Sequence, residues 1–188
     1  MIIHSKIDKG VVRNSNQDAF IAGNISPEVT FAVVCDGMGG ANAGNVASEI
    51  AVKTISEYLY NSYRDNMTPD DVEKIIKNAI SSANYMIYDK SVKNEAFKGM
   101  GTTVTVALIK DKTAIYAHVG DSRIYLVNDQ IKQLTKDHSM VQSLIESGKI
   151  TAQDAKVHPR KNIITRALGV EEQVIADFGL MFLHDGDT

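Results

Sequence analysis

Phe31-Ala32-Val33-Val34-Cys35-Asp36-Gly37-Met38-Gly39-Gly40 changes physical character within one residue. The apolar run, with adjacent β-branched Val33 and Val34, reads as a strand buried on both faces, and it stops at an acid. Glycines at 37, 39 and 40 follow, and residues 41–45 open a long helical pattern. A carboxylate is thus presented at a strand's end, beside a turn whose glycines allow carbonyls or amides to approach a small charged ligand. A lone Asp-Gly is more often a plain turn, but three clustered glycines argue for more. A phosphate-cradling loop is the rival reading. The spacing fits neither G-x-G-x-x-G nor G-x-x-x-x-G-K-[ST], and an acid where phosphate would lie repels it. An acid there suits a cation.

Working outward from that stretch, residues 2–7 read as a short strand, followed by a turn at Asp8-Lys9-Gly10. Residues 12–18 are polar. They read either as a solvated loop or as a site loop, since Arg13 could hold an oxyanion and Asp18 a cation. Downstream, residues 42–63 carry apolar side chains at helical spacing. A second helix begins at Thr68-Pro69-Asp70-Asp71 with an N-cap, an early proline and acids in the first turn. Its apolar stripe includes Val72, Ile76, Ile80, Met86 and Ile87. From residue 99 the pattern changes to period two, predicting strands over 99–109, 113–119, 123–127 and 130–134 in an antiparallel meander. A short helix over 139–147 ends at Gly148. Residues 148–161 read as an irregular flap, and residues 174–183 as a last apolar strand. Strands outnumber helices, which predicts an α+β fold of two mainly antiparallel sheets packed face to face, with the helices of 42–63 and 68–90 on one outer side.

Composition narrows the function. A chain of 188 residues, 44% hydrophobic and 23% charged, is ordinary globular material for one domain. A net charge of −3 with dispersed basic residues argues against nucleic acid held in a basic groove. The single Cys35 precludes an intrachain disulfide and reads as a small buried hydrophobe rather than a nucleophile. There is no signal-peptide core and no apolar run of membrane-spanning length, so a soluble, cytoplasmic protein is expected, with no membrane partner.

R-x-x-N-Q-D at 13–18, D-G-M-G-G at 36–40, G-T-T at 101–103, V-G-D-S-R at 119–123, L-T-x-D-H-S at 134–139 and T-R-A-L-G at 165–169 occur in this order. Together they resemble the metal-dependent protein serine/threonine phosphatases of the PP2C (PPM) family in its compact bacterial form. The resemblance implies a four-layer αββα sandwich over residues 1–188. It implies hydrolysis of phosphoserine and phosphothreonine in proteins, opposing Ser/Thr kinases, by a water activated between two Mn²⁺ or Mg²⁺ ions, with a third ion beside them. Asp36 would bridge the ions, the Gly37 carbonyl and Asp18 would serve the same centre, Asp121 would serve the additional ion, and Arg13 would bind the substrate phosphate. Hard oxygen donors without a Cys/His cluster agree with those ions. A turn aspartate is the plain alternative for Asp121.

Some residues depart from the family pattern. Gln17 stands where many members have Glu, and Met38 where some carry a histidine thought to protonate the leaving group. His118, His138 and His158 could be considered for that proton, but each reads better as structural. The S-D-G and D-N motifs that follow the strand at 174–183 in the family and supply further metal aspartates do not follow it here. The expectation from sequence is therefore a catalytic domain lacking its C-terminal strands, weakly active and prone to self-association. A non-catalytic regulatory or binding module is the alternative, and a nucleotide-binding protein using Gly37–Gly40 a more distant one.

Overall fold

In the computed structural model, which describes residues 1–12, 15–40 and 43–188, β1 (Asp18–Ser26) and β2 (Val29–Met38) form an antiparallel hairpin across Pro27-Glu28. β2 alternates. Val29, Phe31, Val33 and Cys35 have no accessible surface, whereas Val34 is 46% exposed and Asp36 is exposed. The strand is therefore buried on one face, not on both as its unbroken apolar run suggests. Successive side chains point to opposite sides, and helices cover only one of them.

That cover is a helix pair. α1 (Ala43–Ser62) faces the sheet with Ala43, Ala47, Ala51, Ile55 and Leu59, whose spacing of four keeps one narrow stripe inward and lets the helix lie close. α2 (Pro69–Lys93) opens with a capping box: Asp71 N–H donates to Thr68 Oγ1 (3.3 Å), and Thr68 N–H donates to Asp71 Oδ2 (3.2 Å). Its inner stripe is Val72, Ile75, Ile76, Ala79, Ile80, Ala83 and Ile87. Met86, expected on that stripe, is 51% exposed on its flank.

The strand expected over 99–109 divides at Thr103 into β3 (Gly101–Thr102), paired with β2, and β4 (Val104–Lys110). β5 (Thr113–Val119) returns beside β4, and the chain then leaves the sheet at Gly120. β6 (Tyr125–Val127) and β7 (Ile131–Gln133) form a separate two-stranded ribbon. Two short helices follow, α3 (Met140–Glu146) and α4 (Ala152–Val157), before β8 (Asp177–Phe182) comes back to the free side of β5. The main sheet is six-stranded and antiparallel, in the order β1-β2-β4-β5-β8 with β3 on β2. The α+β class with antiparallel sheets holds, and the two sheets are very unequal in size.

Two local readings are corrected. Residues 2–7 form no strand; residues 4–8 instead border a cavity together with residues of β1 and β2. Residues 148–161 are not irregular throughout, because Thr151 and Asp154 build a second capping box, with Asp154 N–H on Thr151 Oγ1 at 3.1 Å and Thr151 N–H on Asp154 Oδ2 at 2.9 Å.

Strand register places Phe20, Val34, Thr105, His118 and Asp177 in one row on the face turned away from the helices, with Asp18 and Asp36 paired one step beyond. No described helix is long and apolar enough to cross a membrane.

Candidate active site

Asp18 and Asp36 are Cα partners in the β1–β2 ladder, so both carboxylates leave the sheet on the same face. Directly opposed side chains on a sheet have Cβ atoms about 4.5–5.5 Å apart, and like charges there repel. The repulsion is about 1 kcal/mol in water and several times larger as solvent is withdrawn. An oxygen-rich pair of this kind fits a divalent hard cation.

The backbone beneath this pair is held from several directions. Asp36 N–H donates to Thr103 Oγ1 (3.0 Å), while Asp36 O accepts from Thr103 N–H (2.9 Å) and from Thr102 Oγ1 (3.0 Å). The Thr103 hydroxyl also lies 2.7 Å from Ser122 Oγ, so one buried threonine joins the Asp36 turn to the Gly120-Asp121-Ser122 turn. Behind Asp36, Gln17 O accepts from Gly37 N–H (3.1 Å) and from the buried Ser48 hydroxyl (2.7 Å). Gly37 is required sterically, since a Cβ there would sit 2.2 Å from Gly44 O and 2.6 Å from Gln17 O. This three-way backbone contact between β2, α1 and residue 17 explains why the apolar strand ends in glycine immediately after its acid.

Asp18 and Asp36 border a cavity of about 480 Å³ together with Phe20, Val34 and Ser122. Asp121 is not on that cavity. It is half-buried and lines a neighbouring one of about 850 Å³ with Arg123, Asp137, residues of α3 and α4 including Lys156, and Lys161 beyond α4. Arg13 lies outside the described residues. Met38 packs over Gly101, where a Cβ would meet its Cε at 2.7 Å, and offers no exchangeable proton. Cys35 is fully buried, and burial pushes its thiol well above the ordinary range, so it supplies no thiolate and the reading as a packing residue holds.

Arg123, Asp137 and His138 lie in the motifs matched by sequence without a role in the chemistry, and Asn84, His118 and Asp177 lie outside them. Arg123 and Asp137 form a bidentate pair, Nε to Oδ1 at 2.7 Å and Nη2 to Oδ2 at 2.6 Å, which closes the base of the β6–β7 ribbon and raises the guanidinium pKa. Asn84, a polar break in the apolar stripe of α2, is buried. It accepts from Gly169 N–H (2.8 Å) and donates to the carbonyls of Glu171 and Glu172 (both 3.0 Å), docking the 169–172 segment on the helix. His118 and His138 are buried and stacked, with centroids 4.5 Å apart and planes at 20°, beside Asp177. A buried Asn within a helical stripe and an Asp-His pair just ahead of an N-cap were the available signals.

Residues 7–168 match the family model described as Protein phosphatase 2C. A "Putative protein phosphatase 2C-type" of Streptococcus pyogenes serotype M6 is 40% identical over 189 residues, covering 100% of this chain and 75% of that protein. The solved serine/threonine phosphatase of S. agalactiae superposes with a TM-score of 0.89 at 36% identity, over 96% of this chain and 74% of that one. The catalytic domain of the phosphatase PstP, solved in complex with 2 manganese ions, gives 0.78 at 30% identity over 96% and 71%. The fold and site define a mixed α+β chain with paired acids on an antiparallel sheet. It belongs to the protein phosphatase 2C family.

Proposed function

We propose that residues 1–188 act as one metal-dependent phosphatase unit that hydrolyses phosphoserine and phosphothreonine in proteins, opposing Ser/Thr kinases in the cytoplasm. The observation that carries this reading is the direct cross-strand pairing of Asp18 and Asp36 above the backbone grip of Thr102 and Thr103. The two manganese ions of the PstP neighbour support it from outside the chain.

The donor set fits the group. Asp18 and Asp36 offer carboxylate oxygens, the Gly37 carbonyl adds a neutral one, and no soft ligand intrudes, which suits Mn²⁺ or Mg²⁺. When bound, such ions supply Lewis acidity and lower the pKa of a water. The chain's own residues do the rest. Asp36 would help hold the ions, and its main chain cannot retreat, because both its N–H and C=O are hydrogen-bonded to β3 and to Thr103. Asp18 faces it from β1, Asp121 would serve an additional ion from the adjacent cavity, and Arg13 would engage the phosphate by its planar fork of N–H donors. Met38 cannot protonate the leaving group, which leaves that proton to solvent.

The test is Mn²⁺-dependent hydrolysis of a phosphothreonine peptide by the wild-type chain and by Asp36→Asn. The asparagine keeps the backbone bonds and removes the charge, so turnover should fall by about 10³ with the melting temperature preserved. Turnover that needs no divalent ion, or that survives the substitution, would overturn the reading.

A further inference from the structure

We propose that His138 is a positioning residue for the Gly120-Asp121-Ser122 turn, holding it against Thr103 and hence against Asp36. This deepens the phosphatase reading above and rests on it only where Asp121 is taken as a metal ligand.

His138 grips Gly120 twice. Its main-chain N–H donates to Gly120 O (2.8 Å), and Gly120 N–H donates back to His138 Nδ1 (3.1 Å). The glycine has little freedom to respond: its φ is +108°, and a Cβ there would meet Thr103 Cγ2 at 2.5 Å, so the turn is pressed onto the residue that holds the Asp36 main chain. A shift of the imidazole therefore moves Asp121 and Ser122 relative to Asp36. His138 is itself anchored from behind, because its carbonyl accepts from Thr165 N–H (2.8 Å) and the neighbouring Ser139 bridges to Ile164.

The ring's protonation follows from these bonds. Accepting at Nδ1 places the proton of the neutral ring on Nε2, which lies 3.1 Å from Asp177 Oδ2. Asp177 is in turn bound by Arg166, Nη1 to Oδ1 at 2.7 Å. Burial favours the uncharged ring, the form that keeps Nδ1 open as an acceptor. His118 stacks on the other side and is fixed by its Nε2 on Lys136 O (2.8 Å).

His118, His138 and Asp177 bring three ligand atoms within 4.8 Å of one another, and a metal ion at this cluster is the rival reading. Two features disfavour it. Ring lone pairs lie in the ring planes, so two imidazoles stacked at 20° do not aim at one point. The Nε2 that would have to coordinate also carries the proton, as long as Gly120 donates to Nδ1.

The experiment compares His138→Asn with His138→Phe in the full chain. The asparagine amide oxygen falls near the former Nδ1 and can still accept from Gly120, whereas phenylalanine keeps volume and stacking but not the acceptor. Without added metal, Gly120 amide exchange by NMR should accelerate about tenfold or more in His138→Phe and stay near wild type in His138→Asn. With substrate, the Mn²⁺ concentration for half-maximal activity should rise about 10- to 100-fold in His138→Phe and be largely restored in His138→Asn. Long-range ¹H–¹⁵N correlation should show His138 protonated at Nε2. Equal Gly120 exchange in the two variants, a proton on Nδ1, or stoichiometric Zn²⁺ binding that His118→Ala abolishes would each overturn the proposal. A wild-type chain without Mn²⁺-dependent activity would count against the phosphatase reading alone, since the exchange and tautomer measurements judge His138 independently.

Discussion

Along β2, Val29, Phe31, Val33 and Cys35 face the helices with no accessible surface, whereas Thr30, Ala32, Val34 and Asp36 face away from them. The first set packs against Ala47, Ala51, Ile55 and Leu59 of α1 and the stripe of α2; the second meets β1 and β4 neighbours on an open face that ends in two opposed carboxylates. The same ten residues thus serve stability on one side and chemistry on the other. Because strand side chains alternate, a slip of one residue would bury Asp36 and expose Phe31, so the hydrophobic face sets the register that the acid depends on.

If that division is right, substitutions on the two faces should separate cleanly. The harshest case is Gly37→Ala on the covered side, where a methyl group meets backbone oxygens of Gly44 and Gln17 that cannot rotate away. Loss of about 4 kcal/mol or outright failure to fold is expected in urea titration; an unchanged midpoint would mean the three-way contact is loose. Phe31→Ala should cost about 3–5 kcal/mol by the same measurement, with Mn²⁺ requirement unaltered in the molecules that remain folded. Cys35→Ser replaces a buried thiol by a hydroxyl and should lose about 1–3 kcal/mol while keeping turnover. An inactive but fully folded Cys35→Ser would break the separation.

Smaller effects probe the open face. Burial lowers the pKa of His138, Asp177 opposes that by raising it, and Arg166 and His118 add to the lowering. The unfolded chain, with histidine near its ordinary 6.5, therefore binds the proton first. The associated stability is present above about pH 6.5 and is lost as pH falls below it. Urea midpoints at pH 7.5 and 5.0 should show a steeper acid loss in the wild type than in His138→Asn; equal losses would remove the histidine from the account. Least of all, Val34→Ala should change stability by no more than about 0.5 kcal/mol, because the side chain is 46% exposed. A cost comparable to Phe31→Ala would show that the two faces are equally packed.

The helices were legible in the sequence because their evidence is local. The cap at Thr68 and the four-residue spacing of alanines in α1 need no distant partner to be read. The single covered face of β2 was not, since Val33 and Val34 are equally apolar and only the position of the helices distinguishes them. At the site, the acid ending an apolar strand was visible, and so was its suitability for a cation. What holds it was not: Thr103 reaches Asp36 and Ser122 across the fold, and His138 reaches Gly120. Hydrogen bonds between residues far apart in sequence leave no periodicity behind. The placement of Asp121 on a neighbouring cavity likewise depends on how the chain turns at Gly120.

The return of β8 to β5 also governs the order of events during synthesis. β1 pairs with its neighbour β2 and β4 with its neighbour β5, while β4 reaches back to β2 across α1 and α2, so these four strands can assemble once residue 119 has emerged. The free side of β5 then waits, with its amides and carbonyls unpaired, until residues 177–182 leave the ribosome. For that interval the nascent chain carries an open pairing edge, and slowing translation between residues 120 and 176 should increase capture by chaperones or co-translational aggregation rather than alter the final fold.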